Sequence, residues 1–198
     1  MPSPITQALR AAIQHRDEPM VLTDPHRLDH PMIAATVAFA AMTGYPQAEI
    51  IGRNCRFLQG PGTDRAIAQR IRCSIAEGHG CIERIVNHRK NGSAFWNLLF
   101  LCPVHDRSGR LLHYFGNQLD ITKGIPEWLG GDVFGPAHMT RAHEAEFHDL
   151  LLDILEDGSD QADQALALER ILASTRRLAE LSVDLQPGTM PVSHGLQR

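Results

Sequence analysis

The order of elements in this 198-residue sequence predicts an α+β fold: a five-stranded antiparallel sheet with helices on one face, flanked by an N-terminal helix and a C-terminal helical extension. Two observations carry the prediction. Three late strand candidates follow one another through hairpin signals, Asn91-Gly92 and the stretch Asp106 to Gly109. Before them stands a helix from Thr63 to Glu77, in which Ile67, Ile71 and Ile75 recur every four residues, and before that come two short apolar strands. Hairpin-joined strands with the helices grouped between two sets of them give an antiparallel sheet rather than an alternating parallel one.

Taken in order, Ser3 caps and Pro4 opens an amphipathic helix carrying Ile5, Leu9, Ala12 and Ile13. It ends near Arg16 to Pro19, so residues 1–18 read as an N-terminal cap helix and 19–122 as the core. Met20 to Thr23 is a short strand, Asp24-Pro25 turns the chain, and Met32 to Ala35 is a second strand. Thr36 caps a helix through Met42, which Gly44 stops. Pro46 to Ile51 gives another helical turn, and Cys55 opens a further short one. Thr63-Asp64 starts the long helix, and Gly78 and Gly80 end it. The three strands are then Cys81 to His88, Ala94 to Val104 and Leu111 to Ile121. Residues 123–135 read as a linker, broken by Pro126 and Gly130-Gly131. Residues 136–186 read as a helical hairpin, with a helix from Pro136 to Glu156 and another from Gln161 to Leu185. The second carries a seam of Leu168, Ile171, Leu178 and Leu185 that calls for a partner helix. Residues 187–198 read as a tail.

Composition narrows the function classes. At 43% hydrophobic the chain can bury a core, and it has no apolar run long enough to span a membrane, so it reads as a cytoplasmic protein without a membrane partner. Cys55, Cys73, Cys81 and Cys102 form no CxxC pair, which favours reduced thiols over a disulfide frame. No metal-ligand spacing stands out: His143 and His148 are five apart and do not share a helical face. Residues 125–198 carry five arginines against thirteen acids, a net of −8, leaving +4 for residues 1–124. That acidic half speaks against nucleic-acid binding by the C-terminal region.

The chemistry concentrates in Gly52 to Gly60, GRNCRFLQG. A thiol, an amide, an arginine and two apolar residues within six positions describe a pocket for something flat, polar at one edge and anionic at a tail. Strand alternation adds three amides. Asn87 shares a face with Ile85, Asn97 with Leu99 and Leu101, and Gln118 with Tyr114 and Gly116. Buried amides need partners, and a heteroaromatic edge with alternating donors and acceptors supplies them.

The GRNCRFLQG stretch also resembles, residue for residue, the motif of LOV (light-oxygen-voltage) photoreceptor domains, a flavin-binding branch of the PAS fold. The resemblance covers about Met20 to Thr122 and implies bound flavin mononucleotide (FMN). It implies that Asn87, Asn97 and Gln118 hydrogen-bond the isoalloxazine ring, that Asn54 and Gln59 contact the ribityl chain and ring, and that Arg56 and Arg72 hold the phosphate. Val21, Thr23, Leu58, Ile75, Leu99 and Leu101 match lining positions, with Tyr114 and Gly116 beside them. Cys55 matches the cysteine whose sulfur bonds reversibly to flavin carbon C4a under blue light. Gln118 matches the glutamine facing flavin N5, whose amide rotates when N5 becomes a donor. The sequence departs from the family pattern at His30, where asparagine is usual, at Ala34, where a larger residue is common, and at Leu99 and Tyr114, each in place of a frequent phenylalanine. The resulting expectation is a short blue-light sensor with no effector enzyme, homodimeric through its flanking helices, and with a downstream signalling partner the sequence does not identify. The rivals are a histidine-kinase-like fragment using His143 or His148, a helix-turn-helix DNA regulator, which the acidic half disfavours, and a PAS ligand sensor without photochemistry. Against the kinase, the ~70 residues after the core are short for an ATP-binding domain of ordinary size.

Overall fold

The structure, a computed structural model, describes residues 4–14, 17–106, 108–124 and 137–138. The element order is α1 (Pro4–Gln14), β1 (Met20–Thr23), β2 (Met32–Ala35), α2 (Val37–Thr43), α3 (Gln47–Ile50), a 3-10 turn (Cys55–Leu58), α4 (Arg65–Ala76), β3 (Cys81–His88), β4 (Ala94–His105), β5 (Leu111–Asp120) and β6 (Ala137–His138). The antiparallel sheet has the spatial order β2-β1-β5-β4-β3-β6, so the first two strands lie beside the last of the hairpin series.

Local chemistry explains the elements that set up the site. The Thr36 hydroxyl accepts from the Phe39 amide, and Gly44 ends α2 in the left-handed region at φ 75. The Asp64 carboxylate caps α4 at the Ala66 amide, 2.7 Å away. The outer face of the sheet is apolar and filled, with Met20, Leu22, Leu98, Val104 and Phe115 all buried. Helix α1 is tied to this side, since Leu9 and Ile13 are buried and Thr6 Oγ1 lies 2.7 Å from His113 Nε2. His113 Nδ1 lies 3.2 Å from the Thr23 carbonyl, which only accepts. Nδ1 therefore carries the proton, and Nε2 accepts from the Thr6 hydroxyl.

The helix expected from Pro136 needs correction. Ala137 and His138 form a two-residue strand pairing antiparallel with Cys81 and Ile82, so the five-stranded sheet gains a sixth, marginal strand. The open edge of β3 offers unpaired backbone groups there, and pairing with them wins over helical propensity for these two residues. The rest of the expected hairpin, including the Leu168-to-Leu185 seam, and most of the 123–135 linker lie outside the described residues.

Candidate functional site

Cys55 is held by its neighbours on the chain. Asn54 Oδ1 accepts from the Arg56 amide at 3.0 Å, starting the 3-10 turn, and Asn54 Nδ2 donates to the Asp29 carbonyl at 2.7 Å. Arg56 pairs with the Asp29 carboxylate. Asp29 and His30 both adopt left-handed backbone, φ 68 and 46, strained for residues with a side chain, and the Asn54 and Arg56 contacts hold the loop there. Phe57 meets Tyr45 edge-on, 4.8 Å between ring centroids, and the Arg53 guanidinium sits 4.1 Å from the Phe57 centroid. Gly60 closes the turn against His88, whose ring a Cβ at that position would strike.

The turn faces a cavity of about 240 Å³ between α4 and the inner face of the sheet. Every residue expected at the site borders it. The Cys55 turn brings Asn54, Arg56, Leu58 and Gln59; α4 brings Arg72 and Ile75; β1 brings Val21 and Thr23. The hairpin strands bring Asn87, Asn97, Leu99, Leu101, Tyr114, Gly116 and Gln118. His30, Ala68, Ile71, Ala76 and Ile85 also border the cavity. The two alanines on α4 carried no sequence signal, since a small side chain in a helix reads as ordinary helix former. Asp29 carried no sequence signal either, because Asn54, which bonds its carbonyl, and Arg56, which pairs with its carboxylate, lie 25 and 27 positions away.

The cavity has a polar and an apolar end. At the polar end Asn97 Nδ2 donates to Asn87 Oδ1 at 2.9 Å and to Gln118 Oε1 at 3.3 Å. Asn87, Asn97 and Gln118 are 5%, 1% and 2% exposed. Asn97 Oδ1 and Gln118 Nε2 are buried and lack a hydrogen-bond partner among the described residues. One orphan acceptor beside one orphan donor is complementary to a ring edge that presents both an N–H and an acceptor. The apolar end is the cluster of Cys81, Leu101 and Tyr114 against Ile71 and Ile75. Between the ends, Gly116 leaves the floor bare: a Cβ there would stand 3.0 Å from Val21 Cγ2. Arg56 and Arg72 border the cavity with solvent-exposed side chains, suited to an anionic tail leading out. These donors, acceptors, apolar walls and cations fit a flavin ring with an anionic tail.

Cys55 is half-buried at the cavity wall, and desolvation pushes its thiol up to about 12 against the smaller lowering pulls of a backbone hydrogen bond and Arg56. It is a neutral thiol at physiological pH. Glu83, on the same face of β3 as Asn87, is buried by a two-point ion pair with Arg70 at 2.7 and 2.8 Å, which fastens α4 to the sheet.

A family model described as PAS domain matches residues 17–123. A curated relative named blue-light-activated histidine kinase, from Brucella canis, is 46% identical over 120 residues, which is 61% of this chain and 24% of that protein. The chain thus spans about a quarter of that relative's length. Among solved structures, the light state of the Aureochrome1 LOV domain is similar at 38% identity and TM-score 0.52, covering 59% of this chain and 88% of that one. The light-state dimer of the fungal blue-light photoreceptor Vivid is similar at 35% identity and TM-score 0.51, covering 52% and 78%.

Proposed function

The chain belongs to the PAS domain family, in its LOV branch, and from that premise we propose that it is a blue-light sensor that holds FMN and uses Cys55 as its photoreactive thiol. The observation that carries the proposal is the pair of orphan amide atoms on Asn97 and Gln118, in a cavity that Cys55 also borders. Asn87, Asn97 and Gln118 would hold the ring, and Arg56 and Arg72 the phosphate. When bound, the flavin supplies a ring carbon that takes up sulfur after blue-light absorption.

This chain's residues do the rest. The Cys55 thiol keeps its proton at neutral pH, so it would offer the ring its sulfur together with a proton and take both back as a pair, with no call for an outside oxidant or reductant. Gln118 would face the ring edge with an amide that can present either end, and turning its oxygen toward that edge would give up the 3.3 Å contact from Asn97. The Gln118 backbone amide donates to the Pro19 carbonyl at 2.9 Å, just before β1, and β5 ends two residues further on at Asp120. A shift at Gln118 therefore reaches the connections to both flanking segments.

The output is proposed as a change in homodimer packing, in keeping with the light-state dimer of Vivid, passed to a separate signalling partner. Sensing without catalysis by the matched residues is part of the proposal, and the matched stretch accounts for 24% of the kinase relative. Absorption spectroscopy of the purified chain tests the core of it. Wild type is expected to be yellow, to bleach under blue light and to recover in the dark. Cys55→Ala is expected to keep its flavin and lose all reversible bleaching; persistence of the bleach in that variant would exclude Cys55. Size-exclusion chromatography with light scattering, dark and lit, tests the output, and an unchanged monomer in both states would remove it.

A further inference from the structure

Tyr114 stands at the apolar end of the cavity and is 2% exposed. Its ring packs with Cys81 and Leu101 below Ile71 and Ile75. Its hydroxyl donates to the Ile75 carbonyl at 2.9 Å, in the last turn of α4. That bond joins β5 to α4 across the end of the cavity. It also fixes the ring, because swinging Tyr114 aside would strand a hydroxyl in apolar surroundings.

The inner face of β5 reads Tyr114, Gly116, Gln118: a fixed ring, a bare floor and an amide. Adjacent inner positions on a strand are ~7 Å apart, so the Cα atoms of Tyr114 and Gln118 stand ~13–14 Å apart. Gly116 admits a flat ligand lying along that span, and Gln118 and Asn97 fix which edge is polar. The ligand's far, hydrocarbon edge must then stop against Tyr114.

We propose that Tyr114 is a specificity-determining residue that limits ligand length, its position locked by the hydroxyl bond to Ile75, so that the cavity admits a three-ring flavin edged by methyl groups and rejects one enlarged at that edge. The inference rests on the flavin reading above and deepens it. The limit comes from overpacking: a rigid, well-packed wall resists extra atoms more strongly than a flexible one.

The test titrates the full chain, stripped of flavin, with two probes. One is FMN, and the other is FMN whose 8-methyl group is replaced by dimethylamino. Wild type is expected to bind FMN roughly tenfold or more tightly than the enlarged probe, in line with what small size differences achieve in an apolar pocket. Tyr114→Leu is expected to bring the two affinities within about twofold, as a flexible side chain yields to the extra atoms. Tyr114→Phe keeps the ring but drops the tether, and its ratio is expected to fall between the other two. FMN affinity is the denominator of each ratio, so a variant that binds FMN is folded where it matters. If Tyr114→Leu binds neither probe, the Tyr114→Phe ratio decides, and a ratio equal to wild type overturns the proposal. Equal affinity of wild type for both probes also overturns it while leaving the flavin reading intact. Failure of wild type to bind FMN at all overturns the flavin reading itself.

Discussion

The two faces of the β4–β5 hairpin are built from the same alternation and come out differently. On the outer face Leu98, Val104 and Phe115 are packed to exclusion, and His113 has protein partners for both ring nitrogens. On the inner face Leu99 borders open space, Gly116 contributes no side chain, and two amide atoms lack partners among the described residues. The outer face is finished by the protein alone; the inner face is complete only with something else in it. Shortfalls of packing and of hydrogen bonding at one place mark a binding site more surely than either alone.

The largest expected effect separates neighbours in sequence. Leu98→Ala, at a position 1% exposed, is expected to cost ~2–5 kcal/mol of stability, while Leu99→Ala in the flavin-free protein costs under ~1.5 kcal/mol because its side chain already borders a cavity. Urea unfolding of both variants measures the gap, and equal costs would erase the distinction between the faces.

Helix α4 allows a second contrast. Arg72→Ala is expected to weaken FMN by ~1.5–3 kcal/mol while hardly touching riboflavin, which lacks the phosphate. Arg70→Ala leaves the FMN-to-riboflavin ratio unchanged and lowers stability instead, because Glu83 is left buried without its partner. Titrating both flavins into both variants checks this. A ratio that moves with Arg70 and not with Arg72 would reverse the assignment of the two faces of α4.

Smaller effects come from titration. Burial lowers the pKa of His113, outweighing the raising contacts with the Thr23 carbonyl and Asp24. The unfolded chain then takes up a proton near its ordinary value of ~6.5 while the folded chain does not, so stability falls as pH drops below that value and levels off once the folded imidazole is protonated too. Comparing melting temperatures at pH 5 and pH 8, with His113→Gln as the flattened control, reads the effect. Cys55 predicts no effect at all: with its thiol pushed up to about 12, the yield of bleaching is expected to stay flat from about pH 6 to 9. A rise following a thiolate titration in that range would contradict a neutral thiol.

Much of this is legible in the sequence. Apolar runs and periodicity located all five main strands and α4 to within two residues, because turn residues mark their ends, as Gly78 after α4 and Asn91-Gly92 between β3 and β4 show. The site was readable because a nine-residue stretch fixed Cys55 and alternation put three amides on one face. What could not be read depends on contacts between distant positions. Nothing near Asp29 in sequence announces Asn54 or Arg56, and nothing near Tyr114 announces the Ile75 carbonyl 39 residues away. Ala137 and His138 were misassigned for the same reason: their partners, Cys81 and Ile82, lie more than fifty residues upstream.

The alternation along β5 also governs how such a gene can change. Tyr114, Gly116 and Gln118 look inward while His113 and Phe115 look outward, so a single codon lost inside this strand would exchange the two sets at one stroke. Lineages descended from such a protein should therefore gain or lose residues here in pairs, or confine odd changes to the 106–110 turn and the irregular register at Val104 and His105, where a bulge can absorb one residue.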